Sequence, residues 1–241
     1  SGLVGEGRLA EPEDILSFIE KDLLNKLPLK GKKVLLTAGP TYEAIDPVRF
    51  IGNHSSGKMG FALAKKAANL GAEVILITGP SAETIQHSFV KRIDVKSAEE
   101  MYAQAHLYYK DTDIAILSAA VADYRPKNVA AQKIKKKEAT IEIVLEKTKD
   151  ILASLGEIKE HQLLVGFALE TNNEAENAKG KLKKKNLDLI VLNSLQDKGA
   201  GFATDTNKIT IIDKDLSMQT FDLKSKYAVA EDIMNAIVAK L

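Results

Sequence analysis

Along this chain, short uninterrupted apolar runs alternate with stretches in which apolar residues recur every three or four positions. VLLTAGP (34–40), EVILITGP (73–80), IAILSAAVADYRP (114–126), LLVGFALE (163–170) and LDLIVLN (187–193) are runs of the first kind, with Phe89–Val95 a weaker one. Their length and β-branched content predict buried strands. The spaced stretches predict helices. The first opens at Pro12 with acidic residues behind it and carries Ile15, Leu16, Ile19, Leu23 and Leu24 on one face. Another covers Gly57–Leu70, with Gly71 placed to end it. A third starts at Ser97-Ala98-Glu99-Glu100, a capping box, and runs to Lys110. Asp150–Glu160 and Glu174–Asn186 follow, then a hairpin pairing Lys208–Ile212 with Met218–Leu223, then an amphipathic helix from Ser225.

Strands this apolar must be covered on both faces, so the alternation predicts an α/β fold: a three-layer, Rossmann-like, mainly parallel sheet with helices on both sides. Residues 1–12 read as a linker or tail and 13–241 as one domain. Right-handed crossovers gather the loops that follow the strands along one edge, where ligands bind in such sheets. Those loops begin at Gly39, Gly79, Ala122 and Glu170. One segment breaks the pattern. Lys127–Lys147 is highly charged, has no helical face, and holds the alternating strand-like stretch TIEIVLEK (140–147).

Composition narrows the chemistry. The 241 residues include no Cys, which removes disulfides, thiolate metal ligands and a cysteine nucleophile, and suits a cytoplasmic protein. A formal net charge of +1 gives no global field for nucleic acid or membrane, so any basic function must be local. No apolar run approaches the roughly 18–20 residues that span a bilayer, and the first residues lack the pattern of a signal peptide.

The most informative local stretch is FIGNHSSGKMG (50–60). Ser55 or Ser56 is a good N-cap, but a cap requires neither Gly57 nor Lys58. Free backbone N–H groups, the helix dipole, two hydroxyls and an ammonium together make an anion site. The stretch lacks the first glycine and the Ser/Thr after Lys58 of a phosphate loop. Gly39-Pro40-Thr41 lacks the G-x-G-x-x-G of a dinucleotide fold and reads equally as a plain turn. Small residues at Ala119–Ala122 leave room for a flat ligand, with Asp123 as a hydroxyl or cation contact or as a turn former. The lysine runs KIKKK (133–137) and KGKLKKK (179–185) read as solvated faces or as phosphate partners; no aromatics interleave them, which argues against nucleic acid. The four His have no metal-ligand spacing. By residues alone, a nicotinamide-dependent reductase and a non-catalytic nucleotide- or nucleic-acid-binding module remain competing readings.

Five stretches in order, TAGPTYEAIDPVRFIGNHSSGKMG, SAAVADYRP, KIKK, GFALETNN and KKNLDLIVLN, resemble the phosphopantothenate–cysteine ligase (phosphopantothenoylcysteine synthetase) family over about Val34 to Asn193. GEGRLAEPEDI resembles the junction after the flavin-dependent decarboxylase half of bacterial bifunctional forms. The resemblance implies CTP-dependent joining of 4′-phosphopantothenate to L-cysteine through an acyl-cytidylate, with Mg²⁺ on the CTP phosphates. It implies that Asn53 handles the acyl-cytidylate and that Lys133 meets the phosphates. It places Leu117, Ser118, Ala119, Asp123, Lys149, Asp150, Ile151, Leu152, Phe167, Lys181 and Lys185 at CTP, with Asp123 beside the Mg²⁺. Thr148-Lys149 stands where the family commonly has Asn-Pro. Arg49, with Ser55, Ser56, Gly57 and Lys58, is expected at substrate phosphate. The family also implies a homodimer with shared active sites, in which a flap at about 125–147 carries Lys133 over a site; an exposed alternating strand calls for such a partner.

Overall fold

The computed structural model describes residues 9–135, 140–170, 172–194 and 204–241. Most of the expected 1–12 tail, Lys136 and Lys137 of the first lysine run, and Thr171 lie outside the described residues. The elements are α1 (Pro12–Asn25), β1 (Lys33–Ala38), β2 (Tyr42–Ala44), β3 (Phe50–Gly52), α2 (Lys58–Asn69), β4 (Glu73–Thr78), β5 (Val90–Asp94), α3 (Ala98–Tyr109) and β6 (Ile114–Leu117). Then come β7 (Tyr124–Pro126), β8 (Leu145–Lys147), α4 (Ile151–Glu157), β9 (Leu163–Glu170), α5 (Glu174–Lys184), β10 (Leu189–Ser194), β11 (Thr206–Asp213), β12 (Met218–Ser225) and α6 (Lys226–Val238).

Eight strands form one sheet in the order β12-β11-β10-β9-β6-β1-β4-β5. Every pairing from β10 across to β5 is parallel, and β11 and β12 add an antiparallel hairpin at one edge. The alternation of side chains along β1 shows why both faces are covered. Val34, Leu36 and Ala38 pack with α2 and α6, whereas Leu35 packs on the other side with Met101 and Ala105 of α3, Leu155 of α4 and Leu182 of α5. The expected three-layer, mainly parallel Rossmann-like architecture is therefore present. Chain order reverses about β1, which lies between β4 and β6, so the carboxyl ends of β1 and β6 flank a topological switch point. The crevice outside such a point is where open α/β sheets bind ligands.

Local signals explain the helix ends. Ser97 Oγ accepts from the Glu100 N–H and the Glu100 carboxylate accepts from the Ser97 N–H, completing the capping box. Gly71, at φ 94°, follows the end of α2. Pro12 begins α1, so the last residue of the expected tail is helical. The apolar stripe of α1 is largely uncovered, with Leu16, Ile19 and Leu23 exposed. Among the described residues no helix is long and apolar enough to cross a membrane.

The irregular segment differs from its expectation. Only Leu145–Lys147 of TIEIVLEK is strand, pairing antiparallel with β7. Ile141 and Val144 are exposed, and residues 140–144 pair with no strand among the described residues, though the Val144 carbonyl accepts from the Lys127 N–H at 2.9 Å. The run from Ile114 likewise ends as strand at Leu117, where Pro40 and Ala120 make only an isolated bridge. The three-residue strands β2 and β3 form a small hairpin, on which Tyr42 and Phe50 stack with ring centroids 3.9 Å apart.

Candidate functional site

Two adjoining cavities open at the switch-point rim and share Ala119, Ala120, Phe167 and Leu169 as walls. The larger, about 810 Å³, has the size of a ligand site. It brings together Asn53, Leu117, Ala119, Asp123, Lys149, Asp150, Ile151, Leu152, Phe167, Lys181 and Lys185, all expected from sequence, with Thr37 and His54. The smaller, about 150 Å³, is lined by Ser55, Ser56, Gly57, Lys58 and Ser118. Arg49 and Lys133 line neither; both belong to the β2–β3 turn and the segment resting on it.

The helix mouth is built differently from its expected form. Neither Ser55 nor Ser56 is the N-cap residue of α2. Gly57 is the N-cap, in the left-handed conformation (φ 84°, ψ −12°) that only glycine adopts without strain, and it brings no capping side chain. Ser55 Oγ instead accepts from the Gly57 N–H at 3.3 Å, and Ser56 Oγ from the Lys58 N–H at 3.5 Å. Gly60, one turn in, lets α2 lie against β1: a Cβ there would sit 2.4 Å from the Ala38 Cβ. The first turn of α2, with its remaining N–H groups and the helix dipole, thus borders the smaller cavity. Lys58 bonds Asp205 at 2.5 Å, and that contact holds its ammonium above its ordinary pKa.

Three lysines of the larger cleft are tethered in the same way. Lys149 meets Glu99 at 2.7 Å and lies over the Tyr102 ring; this bond is the main reason the Glu99 carboxyl sits below its ordinary range. Lys181 meets Glu170 at 2.6 Å. Lys185 meets Asp150 at 2.8 Å. Asp150 also caps α4 by accepting from the Ala153 N–H. Burial pushes the Asp150 carboxyl up, but Lys185 and the Ala153 N–H outweigh it and leave it lowered. These cations are oriented yet partly neutralised, so an incoming polyanion competes with carboxylates already in place. Asn53 Nδ2 donates to the carbonyls of Ala120 (3.2 Å) and Val121 (3.0 Å), tying the helix mouth to the loop after β6. Donation from Asn53 to an acyl oxygen requires giving up one of those bonds. Ser118 Oγ donates to the Thr37 carbonyl at 2.7 Å.

Sequence reasoning missed a third contribution, from the far edge of the sheet. Asn193, Asn207 and Lys226 complete the smaller cavity. Asn207, 2% exposed, donates to Asn193 Oδ1 at 3.2 Å. Lys226 is buried and donates to the Thr204 carbonyl at 2.6 Å. Burial, and then the nearby Lys58 charge, lowers its pKa. No spacing signal links these residues to the Ser55–Lys58 stretch. Among the described residues no three His, Asp or Glu side chains gather as a metal-holding group.

Comparison with known proteins sets this geometry in context. Residues 29–241 match the model of the DNA/pantothenate metabolism flavoprotein C-terminal domain. The chain is 52% identical over 243 residues to a cysteine/cysteine sulfinic acid decarboxylase from an unidentified prokaryote, covering 99% of this chain and 68% of that protein. It is 48% identical over 240 residues to the coenzyme A biosynthesis bifunctional protein CoaBC of Bacillus subtilis, covering 99% of this chain and 59% of that protein. The chain therefore spans well under the full length of these relatives. Among solved structures, the C-terminal domain of a coenzyme A biosynthesis bifunctional protein CoaBC superposes with a TM-score of 0.76 at 43% identity, covering 89% of this chain and 98% of that one. With its fold, its switch-point cleft and a match running from residue 29 to the last residue, the chain belongs to the DNA/pantothenate metabolism flavoprotein C-terminal domain family.

Proposed function

We propose that this chain is a phosphopantothenate–cysteine ligase acting in coenzyme A biosynthesis, with CTP as the activating nucleotide. The observation that carries the reading is the larger cleft. Asn53, Asp123, Phe167, Lys149, Lys181 and Lys185, from well-separated stretches, converge on one rim beside the mouth of α2.

The reaction needs such a place because its partners repel each other. A carboxylate oxygen of 4′-phosphopantothenate attacks the α-phosphorus of CTP, and pyrophosphate leaves. The cysteine amine then attacks the acyl carbon, and CMP leaves with the electron pair of the acyl–oxygen bond. Preorganised N–H groups and ammonium ions offset the repulsion and stabilise charge developing on phosphate oxygens, and fixed orientation removes entropy from the barrier. Lys149, Lys181 and Lys185 are assigned to the nucleotide. The residues at the mouth of α2 are assigned to an anionic group of either substrate. Asp123, unlike the cleft's Asp150, makes no ion pair among the described residues, which suits an Mg²⁺ that arrives with the triphosphate. That ion would neutralise phosphate charge and aid the leaving group.

The proposal includes a homodimer with shared sites, in which the uncovered stretch 140–144 finds its partner in a second copy. It also includes a cytoplasmic location and, by likeness to the bifunctional relatives, fusion to a decarboxylase half. Pyrophosphate release from CTP, Mg²⁺, phosphopantothenate and cysteine tests it, and dependence on all of them is expected. No release, with tight NADPH binding, would favour a reductase. CO₂ release from cysteine or cysteine sulfinate by this chain alone would favour the decarboxylase named for the 52% identical relative.

A further inference from the structure

Lys58, Lys149, Lys181 and Lys185 are each held by an acidic side chain, whereas Lys133, outside both cavities, is not. Among the described residues Lys133 has no acidic partner, and its side chain is exposed. Its backbone, in contrast, is held closely. Asp46 lies in the turn between β2 and β3 and is 2% exposed. Its Oδ1 accepts from the N–H groups of Val48 and Arg49, each at 2.8 Å, and so builds the turn. Its Oδ2 accepts from Arg49 Nε at 3.0 Å and Nη2 at 2.5 Å, and from the N–H of Ile134 at 3.1 Å. Arg49 Nη2 in turn donates to the Ile134 carbonyl at 2.7 Å. Upstream, the Ala130 N–H donates to the Ile45 carbonyl at 3.0 Å.

One residue thus has both its N–H and its C=O taken by a single ion pair, which replaces the neighbouring strand that this segment lacks. The N–H of Ile134 belongs to the peptide group that Lys133 begins. Fixing that plane fixes the origin of the Lys133 side chain. A carboxylate this buried is stable only with its lone pairs filled, so the turn and the docked segment depend on each other. We propose that Asp46 is a positioning residue for Lys133: paired with Arg49, it clips the backbone at Ile134 and presents the Lys133 ammonium without an acidic tether that phosphate would have to displace. The catalytic consequence rests on the ligase reading above; the clip itself does not.

The test therefore has two independent arms, both on the full chain. In amide hydrogen exchange, Ile134 is expected to be protected in the unaltered protein and to exchange at least about tenfold faster in Asp46→Asn. Asp46→Ser is the second variant, since a hydroxyl can still build the turn but is too short to reach Ile134. Unchanged exchange at Ile134 in both variants would overturn the clip whether or not the chain is a ligase. In steady-state pyrophosphate release, Asp46→Asn is expected to lower kcat about tenfold or more with the KM for cysteine unchanged. In a Lys133→Ala background the same substitution is expected to change kcat by less than about twofold. Equal losses in both backgrounds would show that Asp46 does not act through Lys133. A chain with altered exchange but no ligation in its unaltered form would keep the clip and sink the ligase reading instead.

Discussion

Two glycines inside helices offer a comparison whose sign the structure fixes. Gly60 in α2 and Gly180 in α5 would each gain from substitution by Ala, because Ala is favoured over Gly in helices by about 1 kcal/mol. Their surroundings differ completely. At Gly180 an added methyl meets nothing within 4 Å. At Gly60 it would lie 2.4 Å from the Ala38 Cβ, 3.1 Å from the Ala38 Cα and 2.9 Å from the Ser118 Oγ. Ala38 sits on β1 in the middle of the sheet and is fully buried, so α2 must move instead. Overpacking of that kind costs about 1–3 kcal/mol. The propensity gain largely cancels between the two variants, so their difference isolates the packing cost. For a chain of this length each kcal/mol moves Tm by about 2–4 °C, and thermal or urea unfolding resolves the gap. Gly180→Ala is expected to stabilise and Gly60→Ala to fall below it by about 1–3 kcal/mol. Nucleotide affinity is also expected to fall in Gly60→Ala, because the mouth of α2 moves with the helix. Equal stabilisation in the two variants would refute the claim that close approach of α2 to β1 shapes this rim.

Further outcomes follow from the site. The Arg49 guanidinium, opposed by burial and aided by three backbone N–H groups, holds the Asp46 carboxyl well below the usual range. A depressed folded-state pKa gives stability that is complete above the unfolded value, about 3.9, and is lost as pH falls towards the folded one. The stability gap between the unaltered chain and Asp46→Asn should therefore be constant from about pH 5 to 7 and shrink below about pH 4; a gap that stays constant into strong acid would refute it. Asn53→Asp would set a carboxylate against the carbonyls of Ala120 and Val121 and beside phosphate; turnover is expected to fall at least about tenfold with the fold retained, and unaltered turnover would remove Asn53 from the chemistry. Sedimentation should show a dimer at micromolar concentration, and a fully active monomer would sink the shared-site arrangement.

Much of the frame is legible from local sequence because local physics determines it. The apolar runs at 34–38, 73–78 and 163–170 become strands because both faces are covered, and the Ser97–Glu100 box starts α3 because its reciprocal bonds need only four residues. Where tertiary partners decide, local reading fails. TIEIVLEK alternates correctly for a strand, yet most of it forms none, because a strand needs a neighbour as well as a pattern. Ser55 and Ser56 have cap chemistry, but Gly57 can turn left-handed and takes the cap position. The cleft residues expected by family resemblance lie on one rim, with Lys133 and Arg49 set apart on the β2–β3 turn. Asp46, Asn207 and Lys226 were invisible: an acid in a turn, an amide in a strand and a basic residue opening a helix gain meaning only from contacts many residues away.

The antiparallel hairpin at the sheet edge has an electrostatic consequence. By turning the chain back twice, β11 and β12 deliver the start of α6 to the same side of the sheet as the start of α2, and the two helices pack together. The first residues of α2 and α6 therefore border one small chamber, and the partial positive charge of helix N-termini comes from backbone, not from a lysine that can lose a proton. Neutralising Lys58 or Lys226 singly weakens that chamber's hold on an anion without abolishing it.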